Sequence, residues 1–146
     1  MPYATREDIE KVYGTMLLRI VADLTDDGIA EDDAITQALA ESSSEIDSYL
    51  ALRHVLPLDP VPPILIQLCR DMAVYRLSLQ AGPRTTEMRT RYMDAIAFLE
   101  KVAAGKVTLV QIPGDTDGDG DVDEDDTTTG EVIKASPYVV RIVRSD

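Results

Sequence analysis

Histidine and cysteine each occur once in this chain, phenylalanine once and tryptophan never. A single cysteine, Cys69, closes no intrachain disulfide and builds no thiolate metal cluster. It stands in ILIQLCRDMAVYRL, where a small buried side chain is expected and a reactive thiol is not. The single histidine, His54, stands in LRHVLPL at the expected end of a helix, where an imidazole meets the negative pole of the helix dipole. There is no nucleophile–base pattern, no phosphate-binding G-x-x-x-x-G-K-[ST] loop and no H-E-x-x-H pair. The serines of SSSEIDSY have no second histidine or lysine to activate them. No enzyme is expected. Cations are also scarce: 14 Lys and Arg stand against 27 Asp and Glu, a net charge of −13. That balance argues against wrapping nucleic acid, which needs a basic surface. It does not exclude a smooth acidic wall past which DNA slides. No apolar run approaches the roughly 20 residues that span a bilayer. MPYATREDIE has no basic-then-apolar signal pattern. A soluble protein made in a cytoplasm is expected, with no membrane partner.

What is present is a chain of 146 residues, 45% hydrophobic, of a size for one domain with an appendage. Residues 5–104 read as helical. Thr5 and Asp8 in TREDIEKVY form a near capping box. Ile9, Val12, Tyr13, Met16, Leu17 and Ile20 follow at helical spacing, interrupted by Gly14, after which Thr15 could cap a second short helix. DLTDDGIAEDD is a turn-rich loop, and Asp32 or Asp33 is expected to cap a long helix with the stripe Ile35, Leu39, Ile46 and Leu50. Ser42 and Ser43 replace bulk in that stripe and permit a close helix–helix approach, within the chain or between chains. PLDPVPP breaks the helix. Pro62 or Pro63 suits the first turn of the next helix, whose apolar residues are Ile64, Leu65, Leu68, Met72, Tyr75 and Leu79. Asp71 and Arg76 within it read as an internal or intersubunit polar pair. Thr85 or Thr86 caps a last helix with Met88, Tyr92, Ala95, Ile96, Leu99, Val102 and Ala103 in line, closed by Gly105. The fold class is mainly α: a compact body of four or five helices over residues 1–105, then an extended, strand-forming C-terminal arm over 106–146.

The arm opens with the β-branched run KVTLVQI and closes with EVIKASPYVVRIVRSD. Tyr138, Val139, Val140, Ile142 and Val143 are the expected interaction residues. They pair as a hairpin with 107–112, or add a strand to a neighbouring molecule. Between the two runs lies DTDGDGDVDEDD, residues 115–126, with eight acids among twelve residues. Without it the other 134 residues carry a net charge of −5, so the acidity is mostly local. A calcium loop of the EF-hand type places oxygen ligands at positions 1, 3, 5, 7, 9 and 12 and glycine at position 6. Counted from Asp115, these are Asp115, Asp117, Asp119, the carbonyl of Asp121, Asp123 and Asp126, with Gly120 at position 6. The flanks LVQIPG and TTTGEVIKA do not read as the helices of an EF-hand, and position 12 is Asp where bidentate Glu is usual. Ca²⁺ is thus an accessory ion of this loop or is not bound, and no cofactor is required.

MPYATREDIEKVYG, ADLTDD, ALAESSSEIDSYLALRHVLPLDPVPPILIQLCRDMAVYRL and RYMDAIAFLEKVAAGKVTL together resemble the head–tail joining (neck) proteins of Mu-like bacteriophages. The most specific stretch carries Glu45, Ile46, Asp47, Tyr49, Leu50, Arg53, Leu56, Pro57, Leu58 and Pro60, followed by Asp71, Ala73, Tyr75 and Leu77. The resemblance covers roughly residues 1–112 and does not reach the 115–126 loop. The segment after ADLTDD is shorter than the Asp/Gly-rich loop of the family. The resemblance implies a structural virion protein of the neck, assembled in the host cytoplasm. It implies a ring, commonly of twelve subunits, between the portal protein and a tail-side neck or tail terminator protein. The genomic DNA would pass through the lumen without specific binding. The competing reading is a small calcium-binding adhesion module built on 115–126.

If the loop holds calcium, the ion must order a segment that no helices brace, at about 1–2 kcal/mol per residue of backbone. Calorimetry should then give a dissociation constant on the order of 10⁻⁴–10⁻³ M, abolished by the double change Asp115→Ala/Asp119→Ala. No heat at millimolar calcium would leave the loop a solvated acidic linker.

Overall fold

A computed structural model describes residues 2–82, 84–111 and 138–142. Among these are four helices and two strands: α1 (Arg6–Ala22), α2 (Asp32–Leu50), α3 (Pro63–Ala81), α4 (Thr86–Ala103), β1 (Val107–Gln111) and β2 (Tyr138–Ile142). α3 lies at the centre and packs against α1, α2 and α4. Leu65, Leu68, Cys69, Met72, Ala73, Val74 and Leu77 of α3 are all buried. A helix buried on most of its circumference must be apolar on most of its circumference, and the α3 sequence is.

Local signals set the helix ends. The Thr5 side chain accepts from Asp8 N–H while the Asp8 carboxylate accepts from Thr5 N–H at 2.8 Å, a complete capping box. Thr85 accepts from Met88 N–H at 3.1 Å. Each such cap stabilises a helix by about 1 kcal/mol. Pro63 opens α3, where its missing N–H costs no helical bond. α2 differs from expectation. Its N-cap is Glu31, which makes no side-chain cap, and Asp32 and Asp33 fall inside the first turn. There they oppose the positive pole of the helix as charges instead of capping it.

Gly14 splits α1. Its backbone, at φ 80 and ψ 155, is not helical, so two helical segments meet there at a kink. Ile9 is buried before it and Leu18, Val21 and Ala22 after it. Val12, Met16 and Ile20 of the expected stripe instead face outward, 49%, 67% and 49% exposed. In α2 the expected stripe is buried, and so are Ser42 and Ser43. Their small side chains serve a contact within the chain: Ser43 Oγ lies 3.3 Å from Cys69 Sγ, joining α2 to α3. In α3, Leu79 of the expected stripe is 47% exposed, and Leu77 is buried in its place.

α4 ends in a Schellman turn. Gly105 N–H donates to the Val102 carbonyl at 3.0 Å and Lys106 N–H to the Lys101 carbonyl at 2.9 Å, which satisfies carbonyls left open by the last turn. Gly105 has φ +73, and a Cβ there would stand 2.9 Å from the Arg53 guanidinium carbon. Arg53 Nε donates to the Ala103 carbonyl at 3.2 Å, so the turn after α2 clamps the end of α4. The chain then enters β1, whose Val107 and Leu109 are buried against the body. β1 pairs antiparallel with β2, in the register Val107↔Ile142, Leu109↔Val140 and Gln111↔Tyr138. The arm's last strand is therefore paired within its own chain, as the hairpin alternative expected.

A methyl group at position 14 meets no atom within 4 Å, so only the backbone opposes it. Gly14→Ala should cost about 1–3 kcal/mol in urea denaturation. A gain in stability would show that α1 prefers to run straight.

Candidate interaction surface

Side chains singled out in the sequence work mainly as bolts between helices. Arg76 of α3 pairs with Glu45 of α2 and lies 3.4 Å from Glu41. Tyr92 of α4 donates to Glu45 at 3.3 Å, and its ring stacks on Tyr75 with centroids 4.5 Å apart. Three helices thus meet at one half-buried carboxylate. The Tyr3 hydroxyl hydrogen-bonds Asp47, and Tyr3 N–H donates to Ser43 Oγ at 2.9 Å, which seats the N-terminal segment on α2. Burial and then the Asp47 carboxylate hold the Tyr3 hydroxyl well above its ordinary range. Burial likewise raises the Cys69 thiol, so this cysteine is an unreactive packing residue, as expected.

Asp71 and Arg76 do not form the expected pair. They lie five residues apart on α3; Arg76 finds its partners on α2, and Asp71 finds a donor on α1 besides its α3 neighbour Arg70 at 3.6 Å. Asp71, buried in the core layer, accepts from the Tyr13 hydroxyl at 2.8 Å. Arg91 of α4 donates to the same hydroxyl at 3.3 Å, with its guanidinium 5.3 Å from the Tyr13 ring centroid, and pairs with Glu87 at 2.6 Å. Tyr13 immediately precedes the Gly14 kink, so this network pins the first segment of α1 to α3 and α4. Beside it is a cleft of about 260 Å³ whose walls include Val12, Leu17, Thr85 and Met88. Sequence reasoning placed Tyr13 in an apolar stripe and missed its role. Nothing in the local pattern marks a tyrosine whose partner stands 58 residues away.

Among the described residues no group of three or more His, Cys, Asp or Glu is placed to hold a metal ion. Asp115, Asp117, Asp119, Asp121, Asp123 and Asp126 lie outside the described residues. Of the expected interaction residues, Tyr138, Val139, Val140 and Ile142 fall in β2, and Val143 lies outside the described residues. His54 sits one turn beyond the end of α2, its backbone N–H donating to the Leu50 carbonyl at 2.8 Å. No described helix is long and apolar enough to cross a membrane.

The body does carry outward-facing apolar side chains, concentrated in two places. Val12, Met16, Ile20 and Leu24 recur every four residues along α1 and into the following loop, which adds Ile29 at 66% exposure. Leu52 and Val55, 70% and 91% exposed, project from the turn after α2. Side chains so exposed add little to the fold, and their concentration makes these two places the candidate contact surfaces.

The model of the family described as "Bacteriophage Mu, Gp36" matches residues 3–127. This chain belongs to that family. It is 39% identical over 107 residues to the Mu-like prophage FluMu protein gp36 of Haemophilus influenzae, covering 73% of this chain and 74% of the relative. Gene product J of Escherichia phage Mu is likewise 39% identical over 107 residues, 73% of this chain and 74% of the relative. The expected kinship with Mu-like phage proteins is thereby shown. The family match also runs past the expected limit near residue 112 and includes the acidic stretch 115–126.

Tyr13 offers a direct test of the network. Burial first, then the Asp71 carboxylate, raise its hydroxyl from 10.0 to about 12. A phenol held protonated in the folded state contributes stability that is fully present below pH 10 and lost as pH rises through about 12. Tyr13→Phe should cost about 1–3 kcal/mol at neutral pH by removing the hydroxyl donor to buried Asp71, which is left with Arg70 Nε at 3.6 Å. It should also flatten, though not abolish, the alkaline loss, because Tyr3 and Tyr92 are raised as well. An unchanged alkaline slope in Tyr13→Phe would remove Tyr13 from this account.

Proposed function

We propose that this chain is a structural protein of the phage neck. In this reading it is a head–tail adaptor whose copies form a ring of about twelve between the portal protein and a tail-side neck or tail terminator protein. Membership of the Mu Gp36 family carries the reading. The body supports it: its distinctive polar residues are spent on joining helices, and its exposed apolar residues stand where neighbours can cover them. The role is architectural and non-catalytic. The protein would be made in the host cytoplasm and retained in the virion. The genome would cross the ring without specific binding, since a net charge of −13 repels phosphate and leaves DNA free to slide.

The decisive experiment is a nonsense mutation in the encoding phage, read by electron microscopy of the lysate. DNA-filled heads and complete tails should accumulate unjoined, and the supplied protein should restore joined particles. Joined, infectious particles without the protein would refute the neck assignment, and heads without DNA would move its role to packaging.

A further inference from the structure

The two apolar outcrops differ in charge. Around Leu24 and Ile29 the chain from Asp23 to Asp33 carries six acids, Asp23, Asp26, Asp27, Glu31, Asp32 and Asp33. Of the nearby cations, Arg6 is committed to Asp32 and Glu10, and Arg19 donates to the Gly28 carbonyl at 2.8 Å. The loop is held open by its own hydrogen bonds. The Asp23 carboxylate accepts from Asp27 N–H at 3.2 Å and Gly28 N–H at 2.7 Å. Leu24 and Ile29 are left 41% and 66% exposed.

At the other outcrop, Leu52 and Val55 flank Arg53, which clamps Ala103 and Gly105. Lys101 and Lys106 bracket that same turn, are exposed, and make no ion pair among the described residues. Among the described residues that flank this turn in the chain, the three cations Arg53, Lys101 and Lys106 stand against the acids Asp59 and Glu100. Among the described residues, one outcrop is apolar and strongly acidic, the other apolar and mildly basic.

α2 separates them. It begins at Asp32, inside the acidic outcrop, and ends at Leu50, two residues before Leu52. Its 19 residues form a rod about 28 Å long at 1.5 Å per residue, with Ile29 beyond one end and Leu52 beyond the other. They cannot cover one another within a chain. Two acidic outcrops facing each other across a two-fold axis would set six acids against six, which like-charge repulsion opposes. We propose that the acidic outcrop of one copy, through Leu24, Ile29, Asp26 and Asp27, docks on the Leu52–Val55 corner and its lysines on the next copy. The second copy is identified by charge complementarity, and the ring it implies rests on the neck reading. A contact between two different patches repeats head to tail and closes when its rotation permits, with α2 as the rod that sets the spacing.

The test uses the full chain in assembled phage. Ile29→Cys/Val55→Cys should give a disulfide-linked ladder under mild oxidation, with Cys69 buried and silent, whereas either single change should not. Asp26→Lys/Asp27→Lys and Lys101→Glu/Lys106→Glu should each cut ladder yield at least about tenfold, and the two pairs combined should restore it. Circular dichroism would confirm that each variant is folded. Particles that hold the protein in the neck yet yield no ladder would overturn this contact and leave the neck reading intact. So would ladders unchanged by either charge reversal, or two losses without rescue. A ladder in a phage whose heads and tails join without the protein would support the contact and remove the neck reading.

Discussion

α3 has almost no side that water can be allowed to touch. Seven of its large or small apolar residues are buried, so three further helices must cover it. That requirement decides the architecture. Fully burying one such Leu or Met is worth about 1.5–3 kcal/mol, and α3 alone supplies several. The polar residues within α3 are tolerated because the covering helices answer them. Asp71 is met by Tyr13 from α1, and Arg76 by Glu41 and Glu45 from α2. A buried carboxylate with no donor would cost more than the contact gains, so these bonds select which helix covers which side of α3. Hydrophobic burial supplies the driving force, and the bolts supply register.

The same economy explains the small residues. Ser42 and Ser43 let α2 approach α3 until a serine hydroxyl and the Cys69 sulfur lie 3.3 Å apart. A leucine at position 43 would push the helices apart and unseat Tyr3, whose N–H depends on Ser43. The N-terminal segment, the α2–α3 contact and the inert thiol are thus one packing arrangement.

Much of this was legible because it is local. Thr5 with Asp8, Thr85, Pro63 and Gly105 signal helix ends through groups within a few residues of each other, and all four act as their sequence context implies. The α4 stripe was equally plain, since a straight helix keeps its phase. α1 shows where such reading stops. Gly14 announced an interruption, but which side of α1 packs on the body is decided by contacts with distant helices, such as Tyr13 with Asp71. Val12, Met16 and Ile20 therefore pointed outward against expectation. The partners of Asp71 and Arg76 were illegible for the same reason: a helix face says that a charge needs an answer, not which distant helix gives it. The kinship with Mu-like phage proteins was readable in the EIDSYL…R…LPL…P segment. Yet the residues that carried it, Glu45, Asp47 and Arg53, prove to be contacts between segments of the body.

The antiparallel ribbon has a mechanical consequence. The chain enters β1 just after Lys106 and leaves β2 at Ile142, and Val107 and Ile142 face each other in the register. Tension applied to the chain beyond Ile142 therefore loads the rung nearest the body first. The strands peel apart one rung at a time, at low force, instead of shearing all their hydrogen bonds together. The body behind the ribbon is anchored differently: Arg53 ties the start of that tether to the turn after α2, so residual load passes into two helices at once. Under strain, the ribbon would open before the helical body does, as a sacrificial fuse does in a loaded joint.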